Sequence, residues 1–211
     1  MSFISKAMRV IAASMKYPVI ILLLLLIAVS VFMIGWLIVE FFTERRHLRV
    51  KMPMMVDALN EAEDNDTIRL CILRGGLLKR QKAALSELTM HEDITPLMRE
   101  SLAVRLIHQE QSFYDRRLKI SDVIAKIAPM LGLLGTLIPL GPGIIALGQG
   151  DTITLSSSLL TAFDTTILGL IAAAVAVVIS TIRSRWYSNY MSVLETMMEC
   201  ILEVEKKNAE A

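Results

Sequence analysis

Residues 18–39 read PVIILLLLLIAVSVFMIGWLIV and carry no charged side chain. About 20 apolar residues in a helix cross the hydrocarbon core of a bilayer, so this stretch is a candidate membrane span. A cleaved signal sequence has a shorter apolar core and small residues at its cleavage site. Here the run ends in Glu40 and the bulky Phe41 and Phe42, which suits an anchor that stays. A second uncharged run covers residues 127–147, and a third, residues 155–181, is broken only by Asp164. The link between them, Gly148-Gln-Gly-Asp-Thr152, is short. The pattern predicts an antiparallel helical hairpin with spans at 127–147 and 158–182 and a short loop at 148–157.

The polar stretches between these runs have helical patterning. In residues 40–126, Asn65 or Asp66 can cap a helix carrying Leu70, Leu73 and Leu77, and Gly75-Gly76 can interrupt it. Thr95-Pro96 is a helix start, with proline at the first helical position. From there Leu97, Leu102, Leu106, Phe113, Leu118 and Val123 recur at roughly helical spacing, with no breaker before Pro129. After the third span, residues 183–211 predict a further helix, with Val193, Met197, Ile201 and Val204 as its apolar stripe. The first 17 residues suit an amphipathic surface segment that groups Phe3, Ile4, Met8 and Ile11.

Lysine and arginine near the span ends give an orientation. Arg45, Arg46, Arg49 and Lys51 follow the first span, Arg116, Arg117, Lys119 and Lys126 precede the second, and Arg183 and Arg185 follow the third. The loop at 148–157 has neither lysine nor arginine. Residues 40–126 and 183–211 are therefore expected in the cytoplasm and the N-terminus outside, against the dissenting Lys6, Arg9 and Lys16 of residues 1–17. The expected architecture is an all-α integral membrane protein with three transmembrane helices and long cytoplasmic helical extensions.

Composition fits a membrane protein, with 54% hydrophobic residues in a chain of 211 and a net charge of only +1. No basic bias supports nucleic-acid binding. Cys71 and Cys200 form no CxxC pair. His47, His91 and His108 are scattered, and His91-Glu92-Asp93 reads as a solvated turn before Thr95. Glu61, Glu63, Asp64 and Asp66 form a polar loop and helix start. There is no GxxxxGK[ST] motif. An enzyme is not expected, nor a cofactor or a bound metal.

The hairpin has a particular chemistry. On a helical projection of the third span, Ala162, Thr166, Gly169, Ala173, Ala176 and Ser180 share one face. In the second span Gly132, Gly135, Thr136, Pro139 and Gly143 cluster on one side. Small faces let membrane helices approach closely, which serves either plain packing or the wall of a pore filled by another helix. Proline within a helix frees a carbonyl, and irregular backbone at membrane depth is tolerated only inside protein or beside a watery cavity. Asp164 is a carboxylate within a span, a placement that is costly and commonly functional.

The stretches APMLGLLGT at 128–136 and AFDTTILGL at 162–170 resemble the second- and third-span motifs of the MotA/TolQ/ExbB family of ion-driven motor subunits. Chain length and the single long N-terminal span resemble the ExbB/TolQ branch. The resemblance implies a homopentameric ring in the cytoplasmic membrane. Its second and third spans line a pore occupied by a dimer of an ExbD/TolR-like single-span protein. Lipids surround the ring, and the translocated ion is H⁺, with Na⁺ as the alternative. It implies pore-facing hydroxyls at Thr136 and Thr166 and the family's second-span proline at Pro129; beside these, Thr161 and Thr165 are candidate ion-pathway residues, and Gly132, Gly135, Pro139 and Gly169 are expected with Pro129 to set pore-helix shape. ExbB proteins carry a glutamate where this chain has Thr161, and Asp164, three residues on, is expected to take that acidic role. The run Pro139-Leu-Gly-Pro-Gly143 departs from the ExbB pattern. A channel or transporter acting alone and a structural scaffold without ion coupling are the competing functions.

Overall fold

The computed structural model describes residues 3–44, 52–60, 65–91 and 94–210. The described residues form helices α1 (Phe3–Ser14), α2 (Lys16–Glu44), α3 (Met52–Asn60), α4 (Asn65–Arg74), α5 (Lys79–Met90), α6 (Pro96–Gly148) and α7 (Thr152–Glu210). The expected acidic run at 61–64, the cations at 45–51 and the Glu92-Asp93 pair lie outside them. Stretches of α2, α6 and α7 are each long and apolar enough to cross a membrane. Two compact units can be distinguished, one from residues 1–37 and 119–181, the other from 38–118 and 182–211.

The first unit contains the three apolar stretches. Its core joins Met33 of α2, Ile124 and Ala128 of α6, and Ala172, Ala173, Ala176 and Ile179 of α7. Most of these side chains are small. Helices in lipid gain little from burying one another's apolar surface, so van der Waals contact between close backbones must hold them. α6 stays helical through Pro129, Pro139 and Pro142 up to Gly148. Each proline lacks the N–H that would bond the carbonyl four residues earlier, but the helix is not broken.

The second unit has a core of the kind that water drives together. Leu59, Ile68, Ile72, Leu85, Leu88, Leu194, Met197, Met198 and Ile201 are at most 1% exposed. All four residues of the expected stripe on α7, Val193, Met197, Ile201 and Val204, are buried. Of the expected stripe on α6, Leu106 is buried and Leu102, Phe113 and Leu118 pack partly buried against the cores, while its two ends depart. Ala103, Leu106, Tyr114 and Ile124 are buried, whereas Leu97 is 75% and Val123 51% exposed. Gly75 and Gly76 form a bend between α4 and α5. Just beyond it the Gln81 side chain accepts a bond from the Leu78 N–H and donates one to the Tyr190 carbonyl, 2.9 and 2.8 Å long. One buried amide thus starts α5 and ties it to α7.

α2 enters this unit through Glu40, 5% exposed. Its carboxylate accepts a bond from Nε of Arg183 at 3.0 Å, with Nη2 of the same guanidinium also 3.0 Å away, and one from the Tyr187 hydroxyl at 2.8 Å. Arg117 Nη1 lies 4.0 Å away. The sequence reading took Arg183 and Arg117 only as orientation charges, but in the structure they surround a buried acid.

Removing one partner from a buried ion pair strands the other charge, which costs about 3–5 kcal/mol, whereas an apolar pair of similar volume is often neutral. Glu40→Leu should therefore lower the unfolding free energy of the solubilised chain by about that amount, and Glu40→Leu with Arg183→Met should recover most of it in denaturant titrations. Equal destabilisation by the single and double variants would contradict this. The Tyr187 phenol is pushed above its ordinary value, first by burial and then by its bond to Glu40. The folded chain then keeps a proton that the unfolded chain releases, so this contribution is complete below about pH 10 and fades as pH rises further. Alkaline unfolding curves should show a shallower loss for Tyr187→Phe than for the parent.

Candidate functional site

The turn between α6 and α7 is fixed by backbone chemistry. Gly150 has φ +80, a left-handed conformation natural to glycine. The Ala146 carbonyl accepts bonds from the N–H groups of Gln149 and Asp151. Asp151 then caps α7, accepting from the Thr154 N–H at 3.0 Å and from the Thr154 hydroxyl. That hydroxyl, and then the N–H, hold the Asp151 carboxyl below the usual carboxylate range.

Below the turn the two helices are in close contact. A Cβ built at Gly169 would lie 2.7 Å from the Ala128 carbonyl oxygen and 2.9 Å from Gly132 Cα. One built at Gly132 would lie 3.3 Å from the Thr165 carbonyl oxygen, and one at Gly135 would be 2.7 Å from Thr165 Cβ. Gly143 similarly opposes Ser158. At Gly169 and Gly135 an added Cβ would force backbone or the Thr165 side chain to move, whereas at Gly132 and Gly143 it would be a tight fit. Thr165 fills the notch at Gly135, is 4% exposed, and donates its hydroxyl to the carbonyls of Thr161 and Ala162.

Of the two uses open to these small sides, close packing of helix on helix is met within one chain. Gly132, Gly135 and Gly169 meet across a seam within one chain, together with Ala162, Ala172, Ala173 and Ala176. The physical reason is that two facing small surfaces reach the closest backbone contact with each other. The seam runs through Thr165 rather than Thr166. Pro139 is buried beside it and Pro129 half-buried.

The remaining polar residues lie at the edges. Thr136 is half-buried and donates to the Leu133 carbonyl at 2.7 Å. Thr166, also half-buried, donates to Ala162 at 3.2 Å, and Thr161 donates to Ser157 at 3.0 Å. These hydroxyls satisfy their own helices and keep lone pairs available as acceptors. Asp164 is exposed and has no hydrogen bond or ion pair among the described residues. Its neighbours Leu160, Phe163 and Ile167 are 63%, 63% and 54% exposed. Asp164 and Thr166 lie on opposite flanks of Thr165, because successive residues turn about 100° around a helix.

Sequence reasoning missed two features. Asp122 of α6 accepts a bond from Ser180 of α7, and next to it Ser121 is fully buried with no partner for its hydroxyl. The signal was a carboxylate seven positions before Pro129, level with a serine counted only as small. On the opposite end of the unit, Lys16 joins Pro139, Pro142, Ile144, Ile145 and Ser158 around a mostly apolar groove of about 590 Å³.

A helical bundle with three stretches long and apolar enough to cross a membrane describes a multi-pass membrane protein. Residues 73–196 match the model of the MotA/TolQ/ExbB proton channel family, over half of the chain, and the chain belongs to that family. It is a family of channels, not of enzymes. No curated protein matches the chain.

Because the obstacle at Gly169 is backbone, Gly169→Ala must part the helices. Overpacking of this kind costs about 1–3 kcal/mol. Gly35→Ala, where nothing lies within 4 Å of the added carbon, should be neutral or slightly stabilising. Thermal unfolding of the two variants in the same detergent checks the contrast.

Proposed function

We propose that the chain is an ExbB/TolQ-like pore-forming subunit that couples proton flow across the cytoplasmic membrane to mechanical work on a partner. The observation that carries this reading is Asp164. A carboxylate within a span is costly to hold away from water, and no group among the described residues of its own chain pairs with it. Its stability in a membrane requires a polar environment supplied from outside the chain, either water in a pore or another subunit.

The arrangement proposed is a homopentameric ring. Thr136 and Thr166 lie at edges of the α6–α7 seam where a pore can be lined; Thr161 and the buried Thr165 are further hydroxyls of α7, and Asp164, on the opposite flank of Thr165 from Thr166, turns its carboxylate to water or a neighbouring subunit. Pro129, Gly132, Gly135, Pro139 and Gly169 hold the two helices in shape rather than touch the ion. The pore would hold a dimer of an ExbD/TolR-like single-span protein. The translocated ion is H⁺, with Na⁺ as the alternative, and no cofactor enters. A unit charge crossing about 100 mV releases roughly 2.3 kcal/mol, enough to bias a step between neighbouring subunits.

The topology proposed puts the N-terminus outside and the C-terminus in the cytoplasm. The α6–α7 turn has no lysine or arginine, and Lys16 borders the same groove as Ile144 and Ile145. The start of α2 and that turn therefore belong to one side of the membrane.

The decisive measurement is proton flux into liposomes containing the chain and its single-span partner, alongside the mass of the purified complex. Thr136→Val, Thr166→Val and Asp164→Asn should each lower flux by about tenfold or more, a barrier increase of about 1.4 kcal/mol, with the mass unchanged. Undiminished flux in all three would leave a scaffold as the better description. Full flux without the partner would favour a channel acting alone.

A further inference from the structure

The second unit contains a cleft of about 510 Å³ that the ion pathway does not use. It is bounded by the Gly75–Leu78 bend, the start of α5, one face of α6 and the end of α2. Thr43, Lys79, Arg80, Lys82, Phe113 and Arg117 supply its chemistry, and none of the lining residues is a carboxylate.

The cations are arranged, not scattered. Arg80 is held by Glu110 through two bonds of 2.8 Å and lies 3.6 Å over the Phe113 ring. Arg117 lies 4.7 Å from the centre of that ring. Arg117 has Glu40 4.0 Å away as its ion-pair partner among the described residues, and that carboxylate is already engaged by Arg183. Lys82 gives one N–H to the Leu73 carbonyl at 2.6 Å, and an ammonium has two more. Lys79 makes no ion pair among the described residues. Among the described residues, four cations line the cleft and two carboxylates, Glu110 and Glu40, pair with them, the second also held by Arg183; gathering that surplus is unfavourable unless an anion offsets it.

The position of the cleft indicates which anion. Thr43 follows three residues after Glu40, where the apolar stretch of α2 ends. Phe41 and Trp186 pack there with ring centres 5.9 Å apart, and aromatic residues of this kind concentrate at the headgroup level of a bilayer. A basic pocket at that depth has the chemistry of an anionic-headgroup site. We propose that this cleft holds the phosphate headgroup of an anionic membrane lipid, bound by Lys79, Lys82 and Arg117. The assignment to the cytoplasmic leaflet rests on the topology proposed above; the binding itself does not.

The test uses the full chain in mild detergent, with phosphatidylglycerol or phosphatidylcholine added and occupancy read by native mass spectrometry. Phosphatidylglycerol should be retained and phosphatidylcholine not. Lys79→Ala with Lys82→Ala should weaken retention roughly tenfold, given the free energy each lysine contributes at a charged surface. Lys79→Arg with Lys82→Arg should preserve it, which separates charge from damage to the fold. Equal retention of both lipids would overturn the proposal, and so would full retention by the alanine variant. Displacement of phosphatidylglycerol by millimolar inorganic phosphate would also overturn it, because the site would then be one for a free anion. Proton flux is not part of the readout, so failure here and failure of the motor reading are distinguishable.

Discussion

The approach of two backbones at Gly132 and Gly169 governs the membrane part of this protein. In lipid there is little hydrophobic gain from joining apolar helices, so contact must come from shape. With no side chain on either glycine, α6 and α7 close to a separation at which an added Cβ at Gly169 would meet the Ala128 carbonyl oxygen. That contact sets the rotation of both helices. Once it is made, Thr165 must fill the notch at Gly135, Thr136 and Thr166 must lie at the edges, and Asp164 must face away from the seam.

The same chain solves a different problem where water is the solvent. Large side chains such as Leu85, Leu194, Met197 and Ile201 form a core with almost no exposure, because removing their surface from water is itself the driving force. Polar residues there are paired closely. Gln81 satisfies two backbone groups, and Arg80 meets Glu110 with two bonds. α6 and α7 pass through both regimes without a break in helix, and the change of regime is visible as a change in side-chain size along each.

Much of this was legible beforehand because it follows from local chemistry. The uncharged runs mark the apolar stretches, Thr95-Pro96 marks the start of α6, and the stripe from Val193 to Val204 marks the buried side of α7. What was not legible depends on contacts between distant positions. The middle of the α6 stripe, Leu102 to Leu118, packs as its spacing implies, but its ends Leu97 and Val123 are exposed while Ala103 and Tyr114 are buried. The small faces read equally well as a packing surface or a pore wall, and only the facing glycines decide that they meet each other. Glu40 looked like the end of an apolar run. Its pairing with Arg183 across 143 positions has no local signature. Nor does the bond between Ser180 and Asp122.

Glu40 also has a mechanical consequence. Sliding α2 by one residue moves it about 1.5 Å along its axis and swings each side chain by about 100°. Such a shift would tear the carboxylate from Arg183 and Tyr187 together and leave buried charge on both sides. The pairing of Glu40 therefore opposes axial slip of α2. A thrust applied along it is passed directly to α7 through a pinned joint, so that neither helix slips past the other under load.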